Sequence, residues 1–241
     1  MFNLNTGLLE FLRPQLSPTV FNVACIASLI AVIAIAYLSG SINSAIIISK
    51  TVYADDVRKH GSGNPGLTNM LRTFGKGAAG LTFLGDMLKS VLPVCLAGVI
   101  FGFNYSAAVS VCEYCYVAAM FVILGHVFPV YYGFKGGKGV LSTFSTIILL
   151  APFIGLFLFG LFVAIVAISK FVSLGSVCAG LLIPVVINGY FMFVFGNPLM
   201  PLGTISTIII AIVIVWRHKE NLKRISEGKE NKISVGKKDK E

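Results

Sequence analysis

Long apolar runs recur along this chain of 241 residues and restrict what it can fold into. A helix needs about 20 consecutive apolar residues to cross the hydrocarbon core of a membrane. The apolar segments cover roughly residues 20–48, 78–101, 106–131, 139–150, 152–169, 174–196 and 202–216. Charged residues make up 12% of the chain, about half the share usual for a soluble domain. We predict an all-α integral membrane protein with one polytopic domain over residues 1–230 and a basic cytoplasmic tail over 231–241.

Two of these segments leave the number of membrane spans open. Segment 20–48 is long enough either to tilt or to break near the Ser-Gly-Ser sequence at 39–41. Segment 139–150 is too short to cross a membrane alone. It forms either one interrupted helix with 152–169, which gives six spans, or a separate steep helix that turns at Pro152, which gives seven.

The positions of the basic residues favour seven spans. The basic connections are 49–77, 132–138, the turn at Lys170 and the chain from Arg217 onward. Seven spans place all of them on one side of the membrane, with only Arg13 opposite, whereas six spans would divide them. Cytoplasmic loops carry the excess of Lys and Arg. We therefore predict seven transmembrane helices with the N-terminus outside, the C-terminus inside, and glycine-rich cytoplasmic loops that form the site.

The first polar cluster is GSGNPGLTNMLR, residues 61–72. Gly61, Gly63 and Gly66 permit positive φ and let backbone N–H groups approach a ligand closely. The neutral side chains that can donate hydrogen bonds are Ser62, Asn64, Thr68 and Asn69. Arg72 adds a planar guanidinium group suited to phosphate oxygens. A glycine-rich loop alone is often only a turn, but this density of donors beside an arginine favours an anion site.

The second polar cluster is GHVFPVYYGFKGGKGV, residues 125–140. Gly136 and Gly137 lie between Lys135 and Lys138, just before an apolar helix. This pattern predicts a nest of backbone N–H groups at a helix start, with two cations beside it. It is not a P-loop, because G-x-x-x-x-G-K-[ST] is absent and no strand precedes it. His126 lies near the end of a span at the depth of the lysines, so it has either a structural or a ligand-facing role.

Three smaller groups of polar residues lie in or near the predicted spans. Asp86 and Lys89 are three positions apart on one helix face, where they form either an ion pair that fixes helix packing or a pair that faces a cavity. Ser173 opens a helix, which is usually a capping position. His218 and Asn221 share one face of the exit helix.

The cysteines do not indicate a metal or redox site. Cys112 and Cys115 form a C-x-x-C pair, but no second pair and no nearby histidine completes a zinc-ligand set. We expect no metal and no cofactor. The polar clusters instead combine many N–H donors and cations with almost no general acid or base. That chemistry suits two phosphorylated substrates, or a transition state whose negative charge is spread over several oxygens.

At two places the sequence resembles the main motifs of the bacterial acyl-phosphate:glycerol-3-phosphate acyltransferases, the PlsY family. The stretches are GSGNPGLTNMLRTFGKGAAGLTFLGDMLKS and GHVFPVYYGFKGGKGV. KFVSLGSV and WRHKENLKRISEGKENKI resemble its later elements, so the resemblance covers nearly the whole chain after residue 36. The sequence differs from the usual family pattern at Leu67, Ser90 and Leu141–Ser142, away from the charged groups. The H-x-x-x-x-D motif of soluble acyltransferases is absent.

The resemblance implies a protein of the bacterial inner (plasma) membrane whose active site faces the cytoplasm. It implies transfer of a fatty acyl group from acyl phosphate to the sn-1 hydroxyl of glycerol 3-phosphate. The products would be lysophosphatidic acid and phosphate, in the first step of phospholipid synthesis. The expected partners are these two substrates and membrane lipid, with functional coupling to the acyl-phosphate-forming enzyme and no nucleic acid.

The resemblance also implies roles for individual residues. The group that binds substrate phosphate and the reacting carbonyl is Ser62, Asn64, Gly66, Thr68, Asn69 and Arg72. The second phosphate site is formed by His126, Lys135, Gly136, Gly137 and Lys138. The pocket is closed by Ser173, His218 and Asn221. The predicted catalytic residues are Ser62, Arg72, His126 and Lys138.

The donor in this reaction would be a mixed anhydride, which is already activated. We therefore expect alignment and charge neutralisation to suffice, with no acyl-enzyme. The hydroxyl proton goes either to a substrate phosphate oxygen or to a protein base, for which His126 is the best candidate.

Two other classes of protein would share some of these features. A transporter of a phosphorylated metabolite or lipid would also contain basic nests, but transporters commonly have internal repeats and a site near the bilayer midplane. No repeat is evident here, and the polar clusters gather at one predicted face. A non-catalytic membrane scaffold would instead depend on the basic tail, which is attracted to anionic lipid.

Overall fold

The computed structural model describes residues 3–106, 109–110 and 112–233, and this part of the chain is almost entirely helical. The α-helices are α1 (Gly7–Leu12), α2 (Pro18–Ser41), α3 (Ser44–Val52), α4 (Leu67–Phe101), α5 (Glu113–Val127), α6 (Val140–Leu150), α7 (Pro152–Ser169), α8 (Val172–Phe195), α9 (Pro201–Arg217) and α10 (Lys219–Ser226). A small antiparallel hairpin joins α4 to α5, through strands β1 (Tyr105–Ser106) and β2 (Val109–Ser110). Single 3₁₀ turns cover Arg13–Gln15, Val57–Lys59 and Val130–Tyr132.

Among the described residues, five helices are long and apolar enough to cross a membrane. They are α2, α4, α5, α7 and α8. Helices α9 and α10 make a sixth span if the pair, which is bent by 48°, is counted as one. Helix α6 is apolar but shorter than a span, and it is separate from α7 rather than continuous with it. Seven spans therefore stay a prediction.

The exposed side chains of these helices indicate that an apolar environment surrounds them. Ile168 is 85% exposed and Phe193 is 90% exposed, and large apolar side chains of α2, α4, α7, α8 and α9 are exposed as well. Burying such side chains would stabilise a soluble protein by about 1.5–3 kcal/mol each, so leaving them exposed fits contact with lipid rather than water. The long apolar helices and their exposed apolar side chains thus indicate an integral membrane protein.

The predicted segment 20–48 is broken rather than tilted. Helix α2 ends at Ser41, and α3 begins two residues further on. The side chain of Asn43 caps α3 by accepting a hydrogen bond from the N–H of Ile46 (3.0 Å). The same side chain donates to the carbonyl oxygen of Pro65 (3.3 Å), so the break also fixes the loop that leads into α4.

Helix α4 is interrupted at Gly75, whose φ of 85° lies in the left-handed region that favours glycine. Residues 67–74 form a separate helical piece that carries Asn69 and Arg72. Residues 76–101 continue as the long apolar part of the helix. The kink lets the polar first turns depart from the direction of the membrane-crossing part.

Close packing of α2 against α5 forms the centre of the helix bundle. A Cβ atom at Gly40 would lie 2.1 Å from the carbonyl oxygen of Val122, and one at Gly125 would lie 2.2 Å from that of Tyr37. Small residues at such contacts let two backbones approach closely. This approach fixes the position of His126, the residue that follows Gly125.

The bundle has two distinct ends. At one end, the N–H of Phe103 donates to the carbonyl oxygen of Leu4 (3.1 Å), and the Tyr105 hydroxyl donates to that of Leu149. At the other end, the N–H of Ile233 donates to the carbonyl oxygen of Lys170 (2.9 Å). The glycine-rich loops lie at this second end, together with the start of α6 and helix α10.

Candidate functional site

A cavity of about 540 Å³ lies at the second end of the bundle. Its polar wall is formed by the loop before α4, the end of α5, the start of α6, and α10 with the residues that follow it. Helices α6, α7 and α8 supply an apolar wall, lined by Phe144, Ile147, Leu158, Phe159, Phe162 and Ile183. The cavity therefore combines a charged region with an apolar chamber among the membrane helices.

Most of the predicted site residues line this cavity. They are Ser62, Asn64, Gly66, Thr68, Asn69, Arg72, His126, Lys138, Ser173, His218 and Asn221. Lys135, Gly136 and Gly137 do not: Lys135 is exposed outside it, and the two glycines are buried behind it. The structure thus brings together four chain segments that are far apart in sequence.

Asn69 holds the glycine-rich loop in place. Its side-chain oxygen accepts from the N–H of Ser62 (3.0 Å), and its amide donates to the carbonyl oxygens of Val57 (3.1 Å) and His60 (3.0 Å). A Cβ atom at Gly61 would lie 2.3 Å from that side-chain oxygen. The Asn69 amide is therefore used within the loop, which differs from the expected donation to a ligand.

The loop glycines differ in conformation. Gly61 (φ 57°) and Gly63 (φ 68°) are left-handed, which confirms the expectation from the sequence. The same expectation is wrong for Gly66, which is extended (φ −160°) and forms the N-cap of α4. Its position at the N-cap places the first N–H groups of α4 at the cavity, where a helix start favours anions.

Lys138 is held over the cavity by a chain of hydrogen bonds. Its ammonium donates to the side-chain oxygen of Asn221 (2.5 Å), whose amide donates to Glu230 (2.6 Å). Glu230 also accepts from Ser173 (2.8 Å) and Arg224 (2.8 Å). Four side chains, from α8, α10 and the segment after α10, therefore form the network that supports this cation.

Two members of this hydrogen-bond network, Lys138 and Glu230, have shifted pKa values. Burial lowers the pKa of Lys138, Glu230 opposes the shift and the nearby arginines add to it, so that the pKa is about 8. Burial would raise the pKa of Glu230, but the bonds from Asn221, Ser173 and Arg224 outweigh it, so that pKa lies below its usual value. At pH 7 the pair is charged, with the ammonium facing the cavity.

The expected nest of free N–H groups at Gly136 and Gly137 is wrong for this conformation. Their N–H groups donate to the carbonyl oxygens of Val127 (3.2 Å) and His126 (3.1 Å). Their own carbonyl oxygens accept from the guanidinium of Arg217 (2.9 and 3.2 Å). The two glycines are instead needed for close packing, because a Cβ atom at Gly137 would lie 2.1 Å from Nε2 of His126.

His126 lies at the end of a buried chain of charged groups. Its Nδ1 is 2.9 Å from Nζ of Lys89, which is 2.9 Å from Oδ1 of Asp86 and 2.5 Å from the carbonyl oxygen of Ile42. All three side chains are at most 6% exposed. The pair that the sequence left open is an ion pair, and it also faces the cavity, because Asp86 belongs to the cavity lining and Lys89 contacts His126.

His218 makes a different contact. Its Nδ1 is 2.8 Å from the carbonyl oxygen of Ile214, one turn earlier in α9. A carbonyl oxygen only accepts hydrogen bonds, so Nδ1 carries the proton and Nε2 is the acceptor in the neutral ring.

Several residues that the sequence did not assign to the site contribute to it. Glu230 and Arg224 line the cavity, and Arg217 holds the backbone just before Lys138 through the carbonyl oxygens of Gly136 and Gly137. Thr143 also lines it, with a buried hydroxyl that has no hydrogen-bond partner in the described part of the chain. The sequence indicated Arg224, because His218, Asn221 and Arg224 are spaced i, i+3 and i+6 on one helix face. It did not indicate Glu230, because its partner Ser173 comes close only in the folded protein.

These features define an integral membrane protein with an anion-binding cavity that continues into an apolar chamber. Residues 30–228 match the model of the family described as glycerol-3-phosphate acyltransferase, and the chain belongs to this family.

Curated relatives match over most of their length. A glycerol-3-phosphate acyltransferase of Chromobacterium violaceum is 41% identical over 198 residues, which cover 82% of this chain and 91% of the relative. One of Halorhodospira halophila is 37% identical over 204 residues, which cover 85% and 96%. One of Clostridioides difficile is 37% identical over 211 residues, which cover 86% and 97%.

Two solved structures have the same fold. Both are crystal structures of PlsY, described as an integral membrane glycerol 3-phosphate acyltransferase. The glycerol 3-phosphate form has a TM-score of 0.74 and 33% identity, and the lysophosphatidic acid form has 0.72 and 32%. Each comparison covers 86% of this chain and 96% of the other. The resemblance predicted from the motifs is confirmed.

Proposed function

We propose that this protein transfers a fatty acyl group from acyl phosphate to the sn-1 hydroxyl of glycerol 3-phosphate, releasing lysophosphatidic acid and phosphate. The relatives named glycerol-3-phosphate acyltransferase support the acceptor and the reaction type. The observation that carries the proposal is the single cavity in which cations and N–H donors meet an apolar chamber. Such a cavity can hold a phosphate group and an acyl chain at the same time.

The charged wall supports two anionic groups side by side. Arg72 and Lys138 approach the cavity from opposite segments of the chain, and the first N–H groups of α4 face the same space. The dense positive charge would neutralise the departing phosphate when the bond between the carbonyl carbon and the phosphate oxygen breaks. Ser62, Asn64 and Thr68 add neutral donors that can orient the acceptor.

The apolar chamber supports a lipid donor within the membrane. Phe144, Phe159 and Phe162 line it from helices on the side away from the glycine-rich loop. An acyl chain in this chamber would place its carbonyl carbon beside the cations, where the glycerol hydroxyl attacks. Holding the two reactants together in this way accounts for much of the expected acceleration.

We further propose seven spans, with the N-terminus outside and the cavity at the cytoplasmic face of a bacterial inner membrane. Residues 3–16 and 217–233 lie at opposite ends of the bundle, which supports an odd number of crossings. The short α6 would then be the seventh. Lys170 and the basic residues between Arg217 and Lys232 lie at the cavity end, in agreement with the positive-inside rule. Acyl phosphate, glycerol 3-phosphate and membrane lipid are the proposed partners, and a coupling to the acyl-phosphate-forming enzyme stays a prediction.

The test supplies purified protein in detergent with palmitoyl phosphate and glycerol 3-phosphate, and measures both phosphate and lysophosphatidic acid. We expect equal amounts of the two products and no transfer from palmitoyl-CoA. Transfer from palmitoyl-CoA alone would overturn the proposed donor. Uptake of glycerol 3-phosphate into vesicles without product formation would support a transporter instead. A scaffold would tolerate Arg72→Ala and fail when the basic tail is deleted.

A further inference from the structure

The Lys89 ammonium is surrounded by three acceptors inside the helix bundle. They are Oδ1 of Asp86, the carbonyl oxygen of Ile42 and Nδ1 of His126, at 2.9, 2.5 and 2.9 Å. A lysine ammonium has three N–H donors and no acceptor. The carboxylate beside it forms an ion pair that maintains its charge, and the carbonyl oxygen of Ile42 and Nδ1 of His126 are its hydrogen-bond partners. A buried charge is retained only where it is paired and hydrogen-bonded in this manner.

This arrangement fixes the tautomer of His126. Because Lys89 can only donate, Nδ1 must accept and carries no proton. The ring proton of the neutral imidazole is therefore on Nε2. Protonating Nδ1 would place an N–H group against the ammonium, with two donors facing each other at 2.9 Å.

The opposite edge of the ring carries Nε2, and no side chain of residue 137 covers it. His126 contributes to the cavity wall, and its Nε2 lies against the Cα atom of Gly137. Any larger residue at 137 would put a Cβ atom 2.1 Å from that nitrogen. The absence of a side chain at Gly137 thus leaves room beside Nε2.

We propose that Asp86 and Lys89 are positioning residues that hold His126 as a neutral hydrogen-bond donor, with its Nε2–H directed at an anionic oxygen of the bound substrates. His126 then does not act as the general base, because Nε2 already carries the proton and Nδ1 is occupied by Lys89. The hydroxyl proton of the acceptor goes elsewhere, and a substrate phosphate oxygen is the remaining option among those derived from the sequence. The catalytic meaning rests on the proposed function, but the tautomer itself does not.

The first test measures the tautomer directly, without substrate or turnover. Protein labelled with ¹⁵N-histidine is examined by NMR, and the His126 signals are assigned by their loss in His126→Gln. We expect a protonated Nε2 and an unprotonated Nδ1 in the wild type. In Asp86→Asn/Lys89→Met, which removes both charges together, we expect a mixture of tautomers. A protonated Nδ1 in the wild type would overturn the proposal even if the protein is an active acyltransferase.

The second test measures kinetics with palmitoyl phosphate and glycerol 3-phosphate. A displaced donor lowers kcat by up to about 100-fold with little change in KM for glycerol 3-phosphate, because the bond strengthens as charge develops. We expect this lower kcat, with little change in KM, in the double variant Asp86→Asn/Lys89→Met. Thr82→Val is the matched control: it is buried in the same helix, bonds only to the carbonyl oxygen of Ala78, and does not line the cavity.

Further comparisons distinguish a hydrogen-bond donor from a general base and test the role of Asp86 and Lys89. His126→Gln retains an N–H donor at similar reach and should preserve more activity than His126→Leu, whereas a base would be lost equally in both. If the double variant retains wild-type kcat and the wild-type tautomer, Asp86 and Lys89 are not positioning residues. If no variant and no wild type has activity but the tautomer is as expected, the proposed function fails and the assignment of the proton stands.

Discussion

Two walls of the cavity each fix one functional group through a chain of bonds, but they do so in different surroundings. On the α4–α5 wall, Asp86 and Lys89 hold His126 inside the spans, and every member is nearly inaccessible. On the wall formed by the loop before α6 and by α10, Glu230 and Asn221 hold Lys138 near the membrane edge. Both chains end on a carboxylate.

The two walls differ in net charge, and we therefore assign them different roles. The inner chain neutralises its own charge, so it can fix the direction of a proton without adding a net field. The outer chain leaves an ammonium exposed to the cavity, together with Arg72, and under the proposed function it would supply the field that attracts and stabilises phosphate. Under the proposed function, the inner wall would orient the proton of His126 and the outer wall would neutralise the charge of phosphate.

The largest expected effect concerns the outer wall. Lys138→Ala should lower kcat/KM for glycerol 3-phosphate by about 10²–10³-fold, comparable with removing one oxyanion donor. Lys135→Ala should change it less than twofold, because Lys135 is exposed outside the cavity. Steady-state phosphate release measures both. An equal loss of kcat/KM in both variants would contradict this expectation and would mean that Lys135 also contributes to the site.

The pH dependence should follow the outer wall as well. The lowered pKa of Lys138, about 8, means that the free enzyme loses this charge as the pH rises through 8. We expect kcat/KM to fall about tenfold per pH unit above that value. Lys138→Arg keeps its charge at these pH values and should lack this limb, whatever its absolute rate. A wild-type profile that is flat to pH 10 would contradict the assignment.

A smaller effect is expected for the glycine-rich loop before α4. Asn69→Ala removes three hydrogen bonds around a nearly inaccessible side chain and should lower stability by about 1–3 kcal/mol. It should also raise KM for glycerol 3-phosphate. Asn64→Ala is the comparison, since Asn64 lines the cavity but makes no such set of bonds. Thermal unfolding in detergent should distinguish them, with Asn64→Ala near the wild type.

The finest distinction concerns the two histidines of the cavity. Nδ1 of His218 donates to the carbonyl oxygen of Ile214, so its Nε2 should be unprotonated, the reverse of His126. The ¹⁵N spectrum used for His126 measures this in the same sample, with His218→Gln for assignment. Finding the same tautomer in both rings would mean that one of the two Nδ1 contacts is absent in solution.

The sequence determined the class of the protein, because the features that define it are local. Apolar length predicts helices in a membrane, and the left-handed glycines at 61 and 63 follow from the lack of a Cβ atom. Sequence spacing also placed Asp86 and Lys89 on one face. The motifs identified the family, and they marked most of the residues that line the cavity.

The tertiary structure decided which atom of each residue is available. Whether the N–H groups of Gly136 and Gly137 are free depends on the carbonyl oxygens of α5, and their carbonyl oxygens depend on Arg217, about 80 residues away. The protonated nitrogen of His126 depends on Lys89, which belongs to another helix. Hydrogen bonding is directional and satisfies each donor once. Which partner satisfies it is set by long-range packing, and residue type and spacing do not encode that choice locally.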